Sequence, residues 1–344
     1  MDKNKIIFFH PENDYTGSTR VLANLIESEY SSEAISIVTY NPGKGFFNDL
    51  PNVKIYNTWQ PTVRNKPIKF VSYVIWVIYA SLLALIVGRR YGVFYINTTQ
   101  PFYAAIVGKL LKKKIIYHVH EVFPLNNPTR RLLRKVFDNT PSHRIFVSYY
   151  TKSQYSEMPN STWEVKYNKL SRRYLDNIVI RPLSERRCNS VLMIAALTEA
   201  KGVRTFINIA ALMPQYSFTL VLSAPMDDIK IFFGNTIPTN VALVPVQSDV
   251  KPFIMSTDLL LCLSIPSMGV ETFGMTILEA MPYGVPAIVP NVGGPTELVK
   301  DGFNGYCVDV TNEREVVDKI SKAFEEGNYF NLCNNTLKQF EKFS

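Results

Sequence analysis

Cysteine is scarce: the 344 residues hold four, Cys188, Cys262, Cys307 and Cys333, and no two stand in a C-x-x-C spacing. That argues against a zinc site and fits free thiols in a reducing compartment. No low-complexity tract and no internal repeat is visible, which excludes solenoid and linker architectures. The first apolar stretch, Ile6 to Phe9, is too short for a secretory signal, so the expected location is the cytoplasm. Acid is nearly missing from one stretch. Between Pro61 and Tyr150 the only carboxylates are Glu121 and Asp138, against Arg89, Arg90, Lys109, Lys112, Lys113, Lys114, Arg130, Arg131, Arg134 and Lys135. The net charge of +8 is therefore one-sided, and such a segment attracts an anionic surface. No nucleic-acid recognition motif and no aromatic-interleaved basic stripe goes with it, so a membrane leaflet is the expected partner and nucleic acid is not.

What is present suits a globular chain of two domains. Apolar residues make up 47% and charged ones 19%, and the length is too great for one ordinary core. One stretch organises the rest. An apolar run from Leu259 to Leu263 reads as a buried strand stopped by Pro266 and Gly269. Glu271-Thr-Phe-Gly-Met-Thr-Ile-Leu-Glu279 follows, then a helix end closed by Gly284 and a second buried strand up to Pro290. Gly274 lets backbone come close to a ligand, and a helix opening near Met275 aims free N–H groups forward. Two glutamates beside that anion site repel unless polar groups take up their lone pairs. A nucleotide sugar supplies both parts, a diphosphate for the helix and hydroxyls for the acids.

Two glutamates separated by seven residues, with Phe273-Gly274 between them and Gly293-Gly294-Pro295-Thr-Glu297 after, resemble the C-terminal signature of the large retaining glycosyltransferase family usually numbered 4. The resemblance implies an α/β chain of the GT-B fold, two Rossmann-like doubly wound domains facing across a cleft. The N-terminal acceptor-binding domain would cover 1–182 and the C-terminal nucleotide-sugar domain 183–327, with a last helix, about 328–344, packing back on the first. Carried over residue by residue, Glu271 would accept from the donor sugar's hydroxyls and Glu279 from the ribose. Backbone at Phe273, Gly274, Met275 and Thr276 would hold the diphosphate, and Val246 and Gln247 would meet the base. Lys201-Gly202 resembles the family's Lys-Gly, with Lys201 neutralising the leaving diphosphate. His120-Glu121 resembles the family's histidine followed by an acid, which places His120 at the donor sugar. Ala196 stands where the family has a phosphate-clamping arginine, and Arg20, Arg181 and Arg204 are the candidates to replace it. The resemblance implies no cofactor and no metal.

The remaining chain agrees with two α/β domains. Ile6 to Phe9 reads as the first strand and His10 to Arg20 as the turn after it, before a helix from about Thr19 to Glu29. Ligands bind at such a turn in an open α/β sheet, so Gly17 is a donor-binding candidate and Arg20 a phosphate contact. Phe70 to Gly88 carries no charge and is long enough to span a bilayer. A strand follows it directly at Val93 to Ile96, so it reads as a crossover helix with one face on the sheet and another open to a membrane interface. Alternation puts His118 and His120 on one face of a strand, and no third ligand completes a metal site. Asn177 to Asn189 reads as a hinge, and the last helices as about Glu313 to Glu326 and Tyr329 to Phe343. The expected activity is retaining transfer of a sugar from a nucleoside diphosphate to an acceptor hydroxyl, on a lipid-linked saccharide of bacterial surface-polysaccharide assembly. Two alternatives stay open: a nucleotide-sugar 2-epimerase on the same fold, and a non-catalytic nucleotide-sugar-binding partner subunit.

Overall fold

The computed structural model describes residues 5–30, 34–40, 45–58, 66–122, 128–155, 161–176, 178–234, 237–325 and 327–344. The chain divides into two compact units, Met1–Tyr167 and Asn168–Ser344. Each is built on one open parallel sheet, so the fold is the expected pair of Rossmann-like doubly wound domains.

The first unit runs β1 (Ile6–Glu12), α1 (Gly17–Glu29), β2 (Ile35–Tyr40), β3 (Val53–Thr58), α2 (Lys66–Gly88), β4 (Val93–Asn97) and α3 (Phe102–Leu110). It continues with β5 (Lys114–Val119), α4 (Pro128–Asp138), β6 (His143–Phe146), α5 (Tyr149–Ser153) and β7 (Thr162–Val165). Strands pair in the order β3-β2-β1-β4-β5-β6-β7, all parallel. Parallel strands are covered on both faces, hence their continuous apolar runs; every residue of β4 is buried. Alternation then sorts neighbours to opposite cores: Ile7, Phe9, Phe94 and Ile96 pack with α2 and α3, Phe8 and Tyr95 with Leu22 and Ile26 of α1.

Helix α2 makes the one long crossover in this sheet, from β3 past β2 and β1 to β4. Its inward stripe is Ala80 and Ala84, both fully buried, with Trp76, Val77, Leu83 and Val87 beside them. The two alanines let the helix approach closely. Gly88 closes it for a similar reason: a Cβ there would lie 2.3 Å from the Phe94 ring.

The second unit opens with the short α6 (Arg172–Leu175), then β8 (Ser190–Ala195), α7 (Val203–Leu212), β9 (Ser217–Leu222), α8 (Met226–Phe233), β10 (Val241–Val244) and α9 (Lys251–Ser256). It goes on through β11 (Leu259–Leu261), α10 (Met275–Ala280), β12 (Ala287–Pro290), α11 (Pro295–Leu298), β13 (Gly305–Val308), α12 (Glu313–Ala323) and α13 (Asn328–Phe340). The strand order is β10-β9-β8-β11-β12-β13, again all parallel.

The units meet at 167/168 instead of the expected 182/183, because the residues between are tied to the second unit. The Tyr174 hydroxyl donates to the Glu279 carbonyl at 3.0 Å, and Arg181 pairs with Asp258. Within the stretch expected to be a hinge, Arg186 is a buried guanidinium donating to the carbonyls of Tyr283 and Gly284 and to the Tyr329 hydroxyl. Asn177 lies outside the described residues. Helix α13 belongs to the second unit, where Thr336 donates to the Asn304 carbonyl at 3.2 Å and Gln339 to that of Glu297 at 3.5 Å.

Candidate functional site

In an open parallel sheet, ligands gather beyond the carboxyl ends of the strands at the point where strand order reverses. The reversal lies between β8 and β11 in the second unit and between β1 and β4 in the first. Both places carry buried polar groups.

In the second unit the loops leaving β8 and β11 bring Lys201 and Glu271 together, Nζ to Oε2 at 2.6 Å. Burial alone would raise the Glu271 carboxyl. The Lys201 charge and hydrogen bond, with the backbone N–H groups of Phe273 and Thr272, outweigh it and hold the group below its ordinary value. Lys201 is raised by Glu271 against its own burial. The pair is therefore ionised at neutral pH. The nearby Cys262 thiol is pushed up to about 11, by burial first and by Glu271 second, and stays a thiol.

Glycines shape these loops. Gly202 caps the turn before α7 at φ +71°, and a Cβ there would sit 2.2 Å from the Leu263 carbonyl oxygen. Gly293 (φ +105°) and Gly294 lie over the other loop, where side chains would meet the Glu271 and Thr272 carbonyls at 2.5 and 2.0 Å. The Gly294 N–H donates to the Glu271 carbonyl at 2.9 Å. Gly274 (φ +103°) is the N-cap of α10. That helix is a single short stretch, Met275–Ala280, extended by a tight turn over Met281–Tyr283 and closed at Gly284 (φ +63°). Phe273 is buried, Met275 and Thr276 are half-buried, and Glu279 is buried inside the helix.

The other predicted residues fall elsewhere on this unit. Val246 and Gln247 follow β10, the edge strand; the Val246 N–H donates to the Ala224 carbonyl at 3.0 Å. Arg204 is engaged by Glu199 at 2.6 Å and by the Phe232 carbonyl at 2.8 Å, with its guanidinium 4.5 Å above the Phe232 ring. Arg181 bonds Asp258 and the Thr257 carbonyl, both just ahead of β11. It sits at the amino edge of the sheet, the end of β11 away from Glu271, and cannot stand in for the arginine missing at Ala196.

In the first unit the reversal point carries a polar chain that sequence reasoning found only in part. His120, one residue past β5, bonds Asn97 Oδ1 through Nε2 at 2.8 Å. Asn97, fully buried at the end of β4, reaches the Ser18 carbonyl at 3.1 Å and His10 Nδ1 at 2.9 Å through Nδ2. His10 Nε2 meets Thr19 Oγ1 at 3.0 Å, and Thr19 meets Asp14 Oδ1 at 2.5 Å. The direction of the chain follows from one contact: a carbonyl only accepts, so the amide nitrogen of Asn97 faces Ser18 and its oxygen faces His120. His120 then donates from Nε2, His10 accepts at Nδ1 and donates from Nε2, and Thr19 donates to the Asp14 carboxylate. Burial pushes both histidines down to about 3, His120 further through His10, so both are neutral at pH 7.

His118 stacks against His120 with ring centroids 4.3 Å apart, as alternation requires, and bonds the Tyr95 hydroxyl through Nδ1 at 3.0 Å. Glu121 turns back to β4, accepting from the Thr99 N–H and hydroxyl at 2.8 and 2.5 Å. Thr98, next to this bonded threonine, has φ +68°, a left-handed conformation costly for a β-branched residue. Gly17 is the first residue of α1, which starts two residues ahead of its expected position, and Arg20 stacks over the Phe46 ring at 4.8 Å. The available sequence signal for Asn97, Thr98 and Thr99 was a polar cluster directly ending a fully apolar strand.

Comparison with known proteins agrees with this architecture. Residues 181–342 match the family described as glycosyl transferases group 1. Over 336 residues the chain is 26% identical to an uncharacterised glycosyltransferase of Methanocaldococcus jannaschii, covering 95% of this chain and 90% of that one. A 69-residue segment is 39% identical to sucrose synthase 5 of Arabidopsis thaliana, 19% of this chain and 8% of that one. Among solved structures, Anabaena Alr3699/HepE in complex with UDP-glucose aligns with a TM-score of 0.79 at 19% identity, over 98% of this chain and 95% of that one. WaaG, a glycosyltransferase involved in lipopolysaccharide biosynthesis, aligns at 0.74 and 12% identity, over 98% and 95%. At such identities the structural likeness is one of fold. Residues 181–342 thus carry the pattern of the glycosyl transferases group 1 family, on a scaffold that the whole chain shares with GT-B glycosyltransferases.

Proposed function

We propose that the protein transfers a sugar, with retention, from a nucleoside diphosphate donor to an acceptor hydroxyl. The observation that carries this is the ionised Lys201–Glu271 pair at the second unit's reversal point, beside the glycine-capped opening of α10. Lys201 and the backbone N–H groups from Gly274 to Thr276 neutralise the diphosphate as the bond to the sugar's anomeric carbon breaks. Glu271, with one oxygen on Lys201, offers the other to sugar hydroxyls, and Glu279 serves the ribose. Val246 and Gln247 meet the base. The new bond forms between the acceptor oxygen and the anomeric carbon on the face the phosphate leaves, and the acceptor proton passes to the departing phosphate oxygen. No metal enters this reading. His120, presenting one fixed tautomer, and Gly17 and Arg20, in the separate turn between β1 and α1, are the first unit's candidate contacts at its own reversal point.

HepE was solved with UDP and UDP-glucose, which makes uridine nucleotides the first donors to try. The acceptor in this reading is a lipid-linked saccharide of surface-polysaccharide assembly, met at the cytoplasmic face of a membrane. A thermal-shift panel of nucleotides and nucleotide sugars tests the donor half, since a ligand of the folded state alone raises its melting temperature. One nucleotide class should stabilise the wild type, and Lys201→Met should weaken its binding by about tenfold or more through loss of a charge-assisted contact. A flat panel overturns the proposal.

Ala196 motivates a second reading, a partner subunit that binds donor without transferring it. Of the three candidate arginines, Arg181 lies at the wrong edge, Arg204 is already engaged, and Arg20 belongs to the first unit, stacked over the Phe46 ring. Donor binding with no turnover on any acceptor would favour that reading, whereas donor turnover without acceptor would identify an epimerase.

A further inference from the structure

Helix α2 is apolar all round, and only one side of it is covered. Its stretch Phe70–Gly88 has a mean hydropathy of 2.4. Opposite the buried Ala80 and Ala84, the residues Val71, Ile75, Ile78, Leu82 and Ile86 recur every three or four positions and are each more than half exposed. Trp76 meets Tyr103 of α3 edge to face at 5.8 Å, and on α3 the stripe continues through Ile106 and Leu110, 50% and 71% exposed. A contiguous apolar surface of this extent on a folded unit marks a contact with something else.

The charges around it say what. Arg89 and Arg90 follow α2 directly, and Lys109 and Lys112 sit at the end of α3, all exposed. Lys113 bridges the two helix ends through the Arg89 carbonyl at 3.2 Å. Among the described residues no carboxylate pairs with them: Glu121 is bonded to Thr99, and Asp138 pairs with Arg134 at 2.9 Å. A second copy of this chain would bring the same positive rim against itself. An anionic leaflet supplies both what the stripe lacks, acyl chains, and what the rim lacks, negative headgroups. The helix cannot cross the bilayer while this unit stays folded, because β3 before it and β4 after it belong to one sheet and its inner stripe is sealed to that sheet.

We infer that the outer faces of α2 and α3 seat the first unit on an anionic membrane, with α2 lying in the plane of the interface and its basic end at the headgroups. This deepens the proposed function by naming the surface that brings the protein to a lipid-borne acceptor. Vesicle binding is read without any donor, so failure of either idea leaves the other standing.

The test is cosedimentation of the full chain with phosphatidylcholine vesicles, with and without 30 mol% phosphatidylglycerol. Binding should be about tenfold or more tighter to the anionic vesicles and should weaken as salt rises. Ile75→Glu and Leu82→Glu, on the exposed stripe, should abolish binding at unchanged melting temperature. Arg89→Gln with Arg90→Gln should retain weak binding with a shallower salt dependence. An environment-sensitive label placed at Val71→Cys and at Ile86→Cys should report equal depth against quenchers on the acyl chain. Four outcomes each overturn the inference: no vesicle binding, equal binding to neutral and anionic vesicles, unequal label depths, or a dimer in sedimentation velocity that Leu82→Glu dissolves.

Discussion

Asn97 shows how much a single amide can decide. Its oxygen takes the His120 proton donor and its nitrogen takes His10, so the neutral imidazole of His120 is held with its proton on Nε2. Asn97→Leu keeps the volume and removes both bonds. With only four histidines in the chain, nitrogen-15 imidazole spectra resolve each ring. We expect the wild type to show His120 and His10 as single Nε2–H tautomers and the leucine variant to show a mixture at His120. An unchanged His120 signature in the variant would remove Asn97 from this role. Sequence disclosed part of this site. His120 stood out because a histidine and an acid close a strand, and Lys201, Glu271 and the glycines stood out because their spacing is unusual. Asn97, Thr19 and Asp14 did not, since polar residues after strands are ordinary and only the folded sheet brings three separate turns to one point. Thr98 gave no sign of its positive φ, a conformation that sequence suggests for glycine or asparagine but not for a β-branched residue.

At the scale of elements, the strand-to-helix turns carry the geometry, and the turn between β8 and α7 shows it most directly. Gly202→Ala places a methyl group 2.2 Å from the Leu263 carbonyl in a left-handed conformation, so the turn must move away from β11 or open. We expect a loss of about 2–4 kcal/mol, from strain plus displaced packing. Gly302→Ala is the control: its φ is also positive, +70°, but nothing lies within 4 Å, and its cost should stay at about 1 kcal/mol. Equal losses in urea unfolding of the two variants would show that backbone strain, not the close approach to Leu263, sets the turn. Strands and helices were largely legible because parallel strands write themselves as apolar runs and Gly284 marks a helix end. The unit boundary was not, because the tie of Tyr174 to a carbonyl 105 residues later leaves no local pattern. The polar arginines of the supposed hinge misled for the same reason: Arg186 looks solvated in sequence and is enclosed by carbonyls in the fold.

Across the whole molecule, titratable groups are divided unevenly between the units. All four histidines, His10, His118, His120 and His143, precede residue 168, and so do all three tryptophans, Trp59, Trp76 and Trp163. Burial holds His10 and His120 down to about 3, and pushes His118 well below its ordinary value with help from His120 and Lys166. Lowered histidines stay neutral in the folded unit while the unfolded chain takes up protons below about pH 6.5. Stability contributed by each is therefore full above that pH and falls by about 1.4 kcal/mol per pH unit below it, down to the folded value. Glu12 and Glu121, raised chiefly by burial, act the other way just above pH 4.5, but they are two groups against three. In the second unit Glu271, lowered by Lys201 against its burial, keeps its contribution until pH falls below about 4.5. Between pH 6.5 and 5 the first unit should therefore lose stability while the second holds. Calorimetry at pH 7.5 and pH 5 should show the melting profile broaden or split on acidification. Tryptophan fluorescence, which reports the first unit alone, should follow the lower transition. A fluorescence midpoint that stays fixed across that range would mean the three buried histidines take up protons without unfolding the sheet that encloses them.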